Sequence, residues 1–185
     1  MDEKKMIAGI ETFLQGMGLD LTDQHLIRTP QRVAHMWRDT LGEGYSYNEE
    51  SITEILKVTF KQDYDELVIV KDIPFNSTCS HHLLPFSGTA KIGYLPDKKI
   101  VGLSKLPRIL DVFAKRLQVQ ERLTEEVAET LHRFLKPKGV GVILTAEHLC
   151  ATCRGVQKPG TKMVTSCLLG TLRTDSKMRS EFLTL

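Results

Sequence analysis

Thr89-Ala90-Lys91-Ile92-Gly93-Tyr94-Leu95-Pro96-Asp97 is a short β-rich run with Pro-Asp turn residues at its end, and it decides the fold class. Pro96-Asp97 turns the chain toward Ile100-Val101-Gly102, and the period of the apolar residues then changes. After Ser104, read as a helix cap, Leu106, Ile109, Leu110, Phe113 and Leu117 recur at helical spacing, with Lys105, Arg108, Lys115 and Arg116 largely off that stripe. A second helix is expected from Thr124-Glu125-Glu126, acidic in its first turn, to Pro137-Lys138-Gly139. Strands are expected again over Val140 to Thr145 and Met163 to Leu172, with a helical turn or two from Asp175 to Phe182. Upstream, Ile55 to Phe60 and Glu66 to Val70 read as an antiparallel pair joined by Asp63-Tyr64-Asp65, with the second strand ending near Phe75. Strands, paired helices and strands in that order predict an α+β domain with a largely antiparallel sheet.

The first quarter of the chain is helical in pattern. Met6, Ile7, Ile10, Phe13 and Leu14 form a stripe ended by Gly16 and Gly18. Thr29-Pro30 predicts an N-cap and first-turn proline for a helix through Val33, Met36, Trp37 and Leu41 to Gly42. The expected division is a helical extension over residues 1–50 and a catalytic domain over 51–185.

Composition sets bounds. At 185 residues and 41% hydrophobic content the chain can bury a full core. Its formal net charge of +2 gives no bulk attraction to nucleic acid or membrane, so anion binding must be local. The start, Met1-Asp2-Glu3-Lys4-Lys5, lacks the apolar core of a signal peptide, and a soluble, cytoplasmic protein is expected. Four cysteines beside histidines, in that setting, read as thiols and a metal site rather than disulfides.

Cys79-Ser80-His81-His82 offers a thiolate and an imidazole at metal spacing, and Glu147-His148-Leu149-Cys150-Ala151-Thr152-Cys153-Arg154 offers the other half. This mixture of sulfur and imidazole suits Zn(II). If Cys150 and Cys153 both bind, the metal is a closed structural staple; if only Cys150 binds, one position is open for water. His81 and His148 would then be free imidazoles beside the metal, useful for acid–base chemistry near neutral pH. Gly155-Val156-Gln157-Lys158-Pro159-Gly160-Thr161-Lys162 is not a phosphate-binding P-loop, since its lysine is displaced and no helical pattern follows. Lys105, Arg108, Arg154, Lys158 and Lys162 are the basic residues available for a phosphate.

Four blocks carry a resemblance: Cys79-Ser80-His81-His82-Leu83-Leu84-Pro85-Phe86, Val101-Gly102-Leu103-Ser104-Lys105-Leu106, Arg116-Leu117-Gln118-Val119-Gln120-Glu121-Arg122-Leu123-Thr124 and Ala146-Glu147-His148-Leu149-Cys150. In this order, from about Thr29 to the C-terminus, the chain is similar to the GTP cyclohydrolase I family. The resemblance implies a tunnelling fold (T-fold): an antiparallel sheet with two helices on one face, preceded by an N-terminal helical extension. It also implies a homodecamer of two pentamers with sites between subunits. The implied reaction opens the imidazole ring of GTP at C8, releases formate and yields 7,8-dihydroneopterin triphosphate. Cys79, His82 and Cys150 match zinc ligands whose bound water attacks C8. His148 matches the proton-transfer residue at the purine nitrogen, and His81 with Ser104 the pair near the ribose oxygen. Gln120 and Glu121 match the grip on guanine; Lys105, Arg108, Arg154 and, from a neighbouring subunit, Arg32 match triphosphate contacts. Ser80 and Cys153 depart from the usual glutamate and methionine. Two other readings compete. One is a structural zinc protein held by Cys79, His82, Cys150 and Cys153; the other is a tunnelling-fold enzyme acting on a related purine or pterin.

Overall fold

A computed structural model describes all 185 residues. Helix α1 (Glu3–Gly16) starts at Asp2, whose carboxylate accepts from the Lys5 amide, and packs on α2 (Thr29–Met36). Thr29 is the first helical residue rather than the cap. The cap position is Arg28, and Pro30 fills the first turn, where its missing N–H costs nothing. The expected continuation to Leu41 is a π-helical turn over Trp37–Leu41 that ends at Gly42. Gly44 then packs against the backbone of Val112 and Lys115, too close for any Cβ. Arg116 Nε donates to Gly44 O at 3.0 Å and Lys115 Nζ to Glu43 at 2.6 Å, so this segment is pinned to the main body.

Ile55 to Phe60 is not a strand. Its first two residues belong to helix α3 (Glu49–Leu56), opened by a capping box between Asn48 and Ser51 and held by Ile52 and Leu56, which are one turn apart and both buried. Only β1 (Thr59–Lys61) follows. It pairs with β4 (Lys99–Val101), not with the next strand as its sequence proximity suggested.

The main sheet has the order β5-β2-β3-β6-β7, built from β2 (Val68–Cys79), β3 (Pro85–Leu95), β5 (Leu117–Gln118), β6 (Gly139–His148) and β7 (Lys162–Gly170). All pairs are antiparallel except the short β2–β5 contact. Strand β2 runs four residues past Phe75, and β3 begins four residues before Thr89, so the hairpin reaches the cysteine–histidine run itself.

One face of the sheet is covered by α4 (Lys105–Ala114) and α5 (Gln120–Leu135). Leu106, Ile109, Leu110 and Phe113 of α4 and Leu123, Val127 and Leu131 of α5 meet Ala90, Ile92, Val140, Val142 and Leu144 of the sheet. Each Leu, Ile, Val or Phe side chain among them contributes about 1.5–3 kcal/mol by leaving water. Helix α5 starts at Gln120, not Thr124: Val119 provides no side-chain cap, and Thr124 lies inside the helix, donating to Gln120 O at 2.7 Å. Burial of Gln120 and Leu123 fixes that start, a tertiary effect no cap residue announces. Ser104 likewise lies in helical backbone and makes no capping hydrogen bond, which leaves its hydroxyl uncommitted.

On the opposite face, α7 (Thr171–Thr174) and α8 (Ser176–Thr184) bring Leu172 and Phe182 over Leu67 and Leu95. Gly93 and Gly141 make the floor on which the Phe182 ring lies. The architecture is the expected α+β arrangement with two long helices on one face and helices before it. No helix is long and apolar enough to cross a membrane. Phe182→Ala is expected to lower unfolding free energy by about 3–5 kcal/mol in urea titration, while zinc uptake stays at the parent level, because Phe182 lies near the Gly139 end of β6 and the metal-ligand cluster at its His148 end.

Candidate metal centre and active site

The geometry is set at one end of three strands. Cys79 is the last residue of β2, and the chain turns back tightly into β3: Cys79 N donates to Leu84 O at 2.8 Å and Leu83 N to Cys79 O at 2.9 Å. Leu83 takes a left-handed φ of 56°, uncommon for a side-chain-bearing residue. Ser80 N donates to Gln118 O at 2.9 Å, so β5 braces the turn from the other side. The sequence suggests that two neighbouring strand ends bring the half-sites together; in the structure β3 lies between β2 and β6. Phe86 of β3 pairs with His148 at the end of β6, and the short helix α6 (Leu149–Thr152) follows directly and carries Cys150.

This register brings together Cys79, His82 and Cys150, whose ligand atoms all lie within 4.8 Å of one another. Cys79 Sγ is 3.8 Å from His82 Nδ1 and 4.0 Å from Cys150 Sγ. A tetrahedral ion with ~2.3 Å metal–sulfur and ~2.0 Å metal–nitrogen bonds needs ligand atoms about 3.5–3.8 Å apart, so the donors fit zinc in kind and in spacing. Without an ion, burial and the neighbouring Cys79 push the Cys150 thiol above its ordinary range; the repulsion between two adjacent thiolates is what a cation relieves.

Cys153 is outside the cluster. It is exposed at the end of α6, with its Sγ 2.9 Å from Leu149 O, the carbonyl one turn back. A zinc ion held by these three donors would have a fourth position open, as catalytic rather than structural zinc sites do.

His148 flanks the cluster. Its ring stacks on Phe86 at 4.4 Å between centroids and 3° between planes, and its Nε2 lies 2.8 Å from Gln120 Oε1. Burial holds its pKa below the ordinary imidazole value, opposed by the negative charge of Glu121. Glu121 is exposed on the first turn of α5, next to the buried Gln120 that contacts His148. Gln120 itself is buried, its side chain spent on the protein interior. His81 is exposed, with its ring 6.1 Å from that of His82 and nearly perpendicular to it. Ser104, Lys105 and Arg108 lie together at the start of α4, and neither basic residue forms an ion pair within the chain. Arg154 is exposed just after α6, and its charge favours the Cys150 thiolate. Arg32 is exposed on α2, outside the cluster. The loop after α6 is held by Gly160 N donating to Glu147 at 2.8 Å, and it passes into β7 with no helix, so it is no P-loop. Sequence spacing gave no sign that Phe86 would lie under His148 or that Glu147 would anchor this loop.

An antiparallel sheet in an α+β fold thus carries, at its strand ends, a Cys-His-Cys cluster able to hold a metal ion, with the imidazole of His148 at the strand end next to Cys150. The model of the family described as GTP cyclohydrolase I matches residues 6–185, further toward the N-terminus than the sequence blocks suggested. The chain is 48% identical over 187 residues to GTP cyclohydrolase 1 of Aquifex aeolicus (strain VF5), covering 100% of this chain and 97% of that protein. It is 46% identical over 185 residues to the protein of that name from Hydrogenobaculum sp. (strain Y04AAS1), covering 100% and 98%. It is 47% identical over 181 residues to that of Rattus norvegicus, covering 97% and 73%. Among solved structures, it is similar to the archaeosine synthase QueF-Like in the apo form, with 17% identity and a TM-score of 0.48 over 57% of this chain and 94% of that one. The chain belongs to the GTP cyclohydrolase I family.

Cys153→Ala is expected to bind zinc at parental stoichiometry, measured by inductively coupled plasma mass spectrometry after exhaustive dialysis. Cys150→Ala is expected to lose most of it. Equal loss in both variants would restore the four-ligand staple.

Proposed function

We propose that this chain is a zinc-dependent GTP cyclohydrolase I that opens the imidazole ring of GTP at C8, releases formate and produces 7,8-dihydroneopterin triphosphate. The observation that carries the reading is the open three-donor centre of Cys79, His82 and Cys150 with His148 held beside it. Zinc held there supplies Lewis acidity and a water made nucleophilic near neutral pH. Hydrolysis at C8 leaves a purine nitrogen that needs a proton, and His148, neutral and half-buried, exchanges that proton. His81 and the uncommitted hydroxyl of Ser104 serve the ribose ring oxygen, whose opening precedes closure of the pterin ring.

Glu121 selects guanine. Its carboxylate accepts from N1–H and the 2-amino group, and adenine has neither donor. Lys105, Arg108 and Arg154 take the triphosphate, supported by their freedom from ion pairs within the chain. Arg32, exposed on α2, reaches a site of a neighbouring subunit. Residues 51–185 form the catalytic domain and residues 1–50 the extension that contacts other subunits, in a homodecamer of two pentamers. The protein works in the cytoplasm, without nucleic acid or membrane partners.

Zinc-loaded protein incubated with GTP is expected to release formate and a product that becomes a fluorescent pterin on oxidation, with no product from ATP. Absence of both products would overturn the assignment. His148→Ala and His81→Ala are each expected to lower turnover by about 10²–10⁴-fold, as measured by formate release at saturating GTP, with zinc content unchanged.

A further inference from the structure

Gln120 matches a base-gripping position by resemblance, yet its side chain does not face solvent; only about 1% of the residue is exposed. Its Nε2 lies 3.1 Å from each of Leu144 O, Met163 O and Thr165 Oγ1. Its Oε1 lies 2.8 Å from His148 Nε2. The orientation of the amide is forced, because turning it over would set its oxygen against two backbone carbonyls with no hydrogen between them. The surrounding hydroxyls agree. Thr124 Oγ1 donates to Gln120 O at 2.7 Å and is 2.7 Å from Thr165 Oγ1. With its one hydrogen given to Gln120 O, Thr124 receives from Thr165, which is then free to accept from Gln120.

The side-chain oxygen of Gln120 is therefore an acceptor only, and the imidazole nitrogen against it must carry a hydrogen. In neutral His148 the hydrogen is on Nε2, and the lone pair is on Nδ1, the nitrogen not held by Gln120. Two restraints fix the ring: the Phe86 stack sets its plane and the Gln120 contact sets its rotation within that plane. We propose that Gln120 is a positioning residue that acts through His148, locking its Nε2–H tautomer and presenting Nδ1 to the substrate, and that it does not grip the guanine base. The network reaches from α5 through β6 to β7, so the orientation of one imidazole is set by three elements of the core.

The inference rests on His148 as the proton-transfer group, a role that His148→Ala tests separately. Gln120→Met keeps the length of the side chain and removes both ends of the contact. With zinc content unchanged, it is expected to lower kcat about 10–100-fold and to leave KM for GTP at the parental value. A raised KM at unchanged kcat would instead make Gln120 a base-binding residue, and parental values of both would remove any role; either result overturns the proposal. The tautomer is read without activity, from ¹⁵N spectra of the zinc-loaded protein carrying ring-labelled histidine, with the signals absent from His148→Ala assigned to His148. A hydrogen-bearing Nε2 and bare Nδ1 in the parent, and loss of that single form in Gln120→Met, are expected. A hydrogen on Nδ1 in the parent overturns the proposal even if the enzyme is fully active.

Discussion

The pairing of β3 with β6 is the constraint on which the site depends. Phe86 opposes His148 and Gly88 opposes Ala146, with the Gly88 Cα so close to the Thr145 carbonyl that no Cβ fits between them. Side chains alternate across a sheet, so a slip of one residue would turn Phe86 away from His148 and send the apolar face of β6 into solvent. Burial of Val140, Val142 and Leu144 against α5 makes that slip costly. The same register places Cys150, on the helix that continues β6, 4.0 Å from a cysteine 71 residues earlier. The convergence of these three donors is thus a consequence of sheet register, and an ion held there would add cohesion to strand ends that the hydrophobic core has already brought together.

The centre is asymmetric in a useful way. Cys79 is buried, His82 is exposed and Cys150 is intermediate, so the three donors form a cup open toward solvent. The residues around its rim are held with different firmness. His148 is clamped by a stacked ring and a buried amide, whereas His81, Ser104, Arg108 and Arg154 are exposed and uncommitted. This division suits a reaction whose proton transfer at the purine needs fixed geometry while the triphosphate is gathered by long, mobile cations.

Much of this was legible in the sequence. The two half-sites, the helix stripe of Leu106, Ile109, Leu110 and Phe113, and the alternation of strands with paired helices were all visible as local patterns. The residues misread had tertiary causes. Ile55 to Phe60 has the composition of a strand, but the Asn48–Ser51 capping box and the burial of Ile52 and Leu56 commit Ile55 and Leu56 to a helix. Thr124 resembles a helix start, yet α5 begins a turn earlier because Gln120 finds its partners on β6 and β7. Cys153, which spacing alone left open as a ligand and the resemblance left out, points its thiol back along its own helix. The resemblance gave Gln120 a role at the base; only the three-dimensional network shows its amide occupied and its oxygen on His148.

Cys79, His82 and Cys150 offer a metal two thiolates and one imidazole and leave the centre open. Extended X-ray absorption fine structure at the zinc K-edge of the loaded protein measures that ligand set directly. The account predicts two sulfur scatterers at about 2.3 Å and two lighter nitrogen or oxygen scatterers at about 2.0–2.1 Å, one of the latter with the multiple-scattering signature of imidazole. Three sulfurs and a single nitrogen would place Cys153 in the centre, close the fourth position, and contradict it.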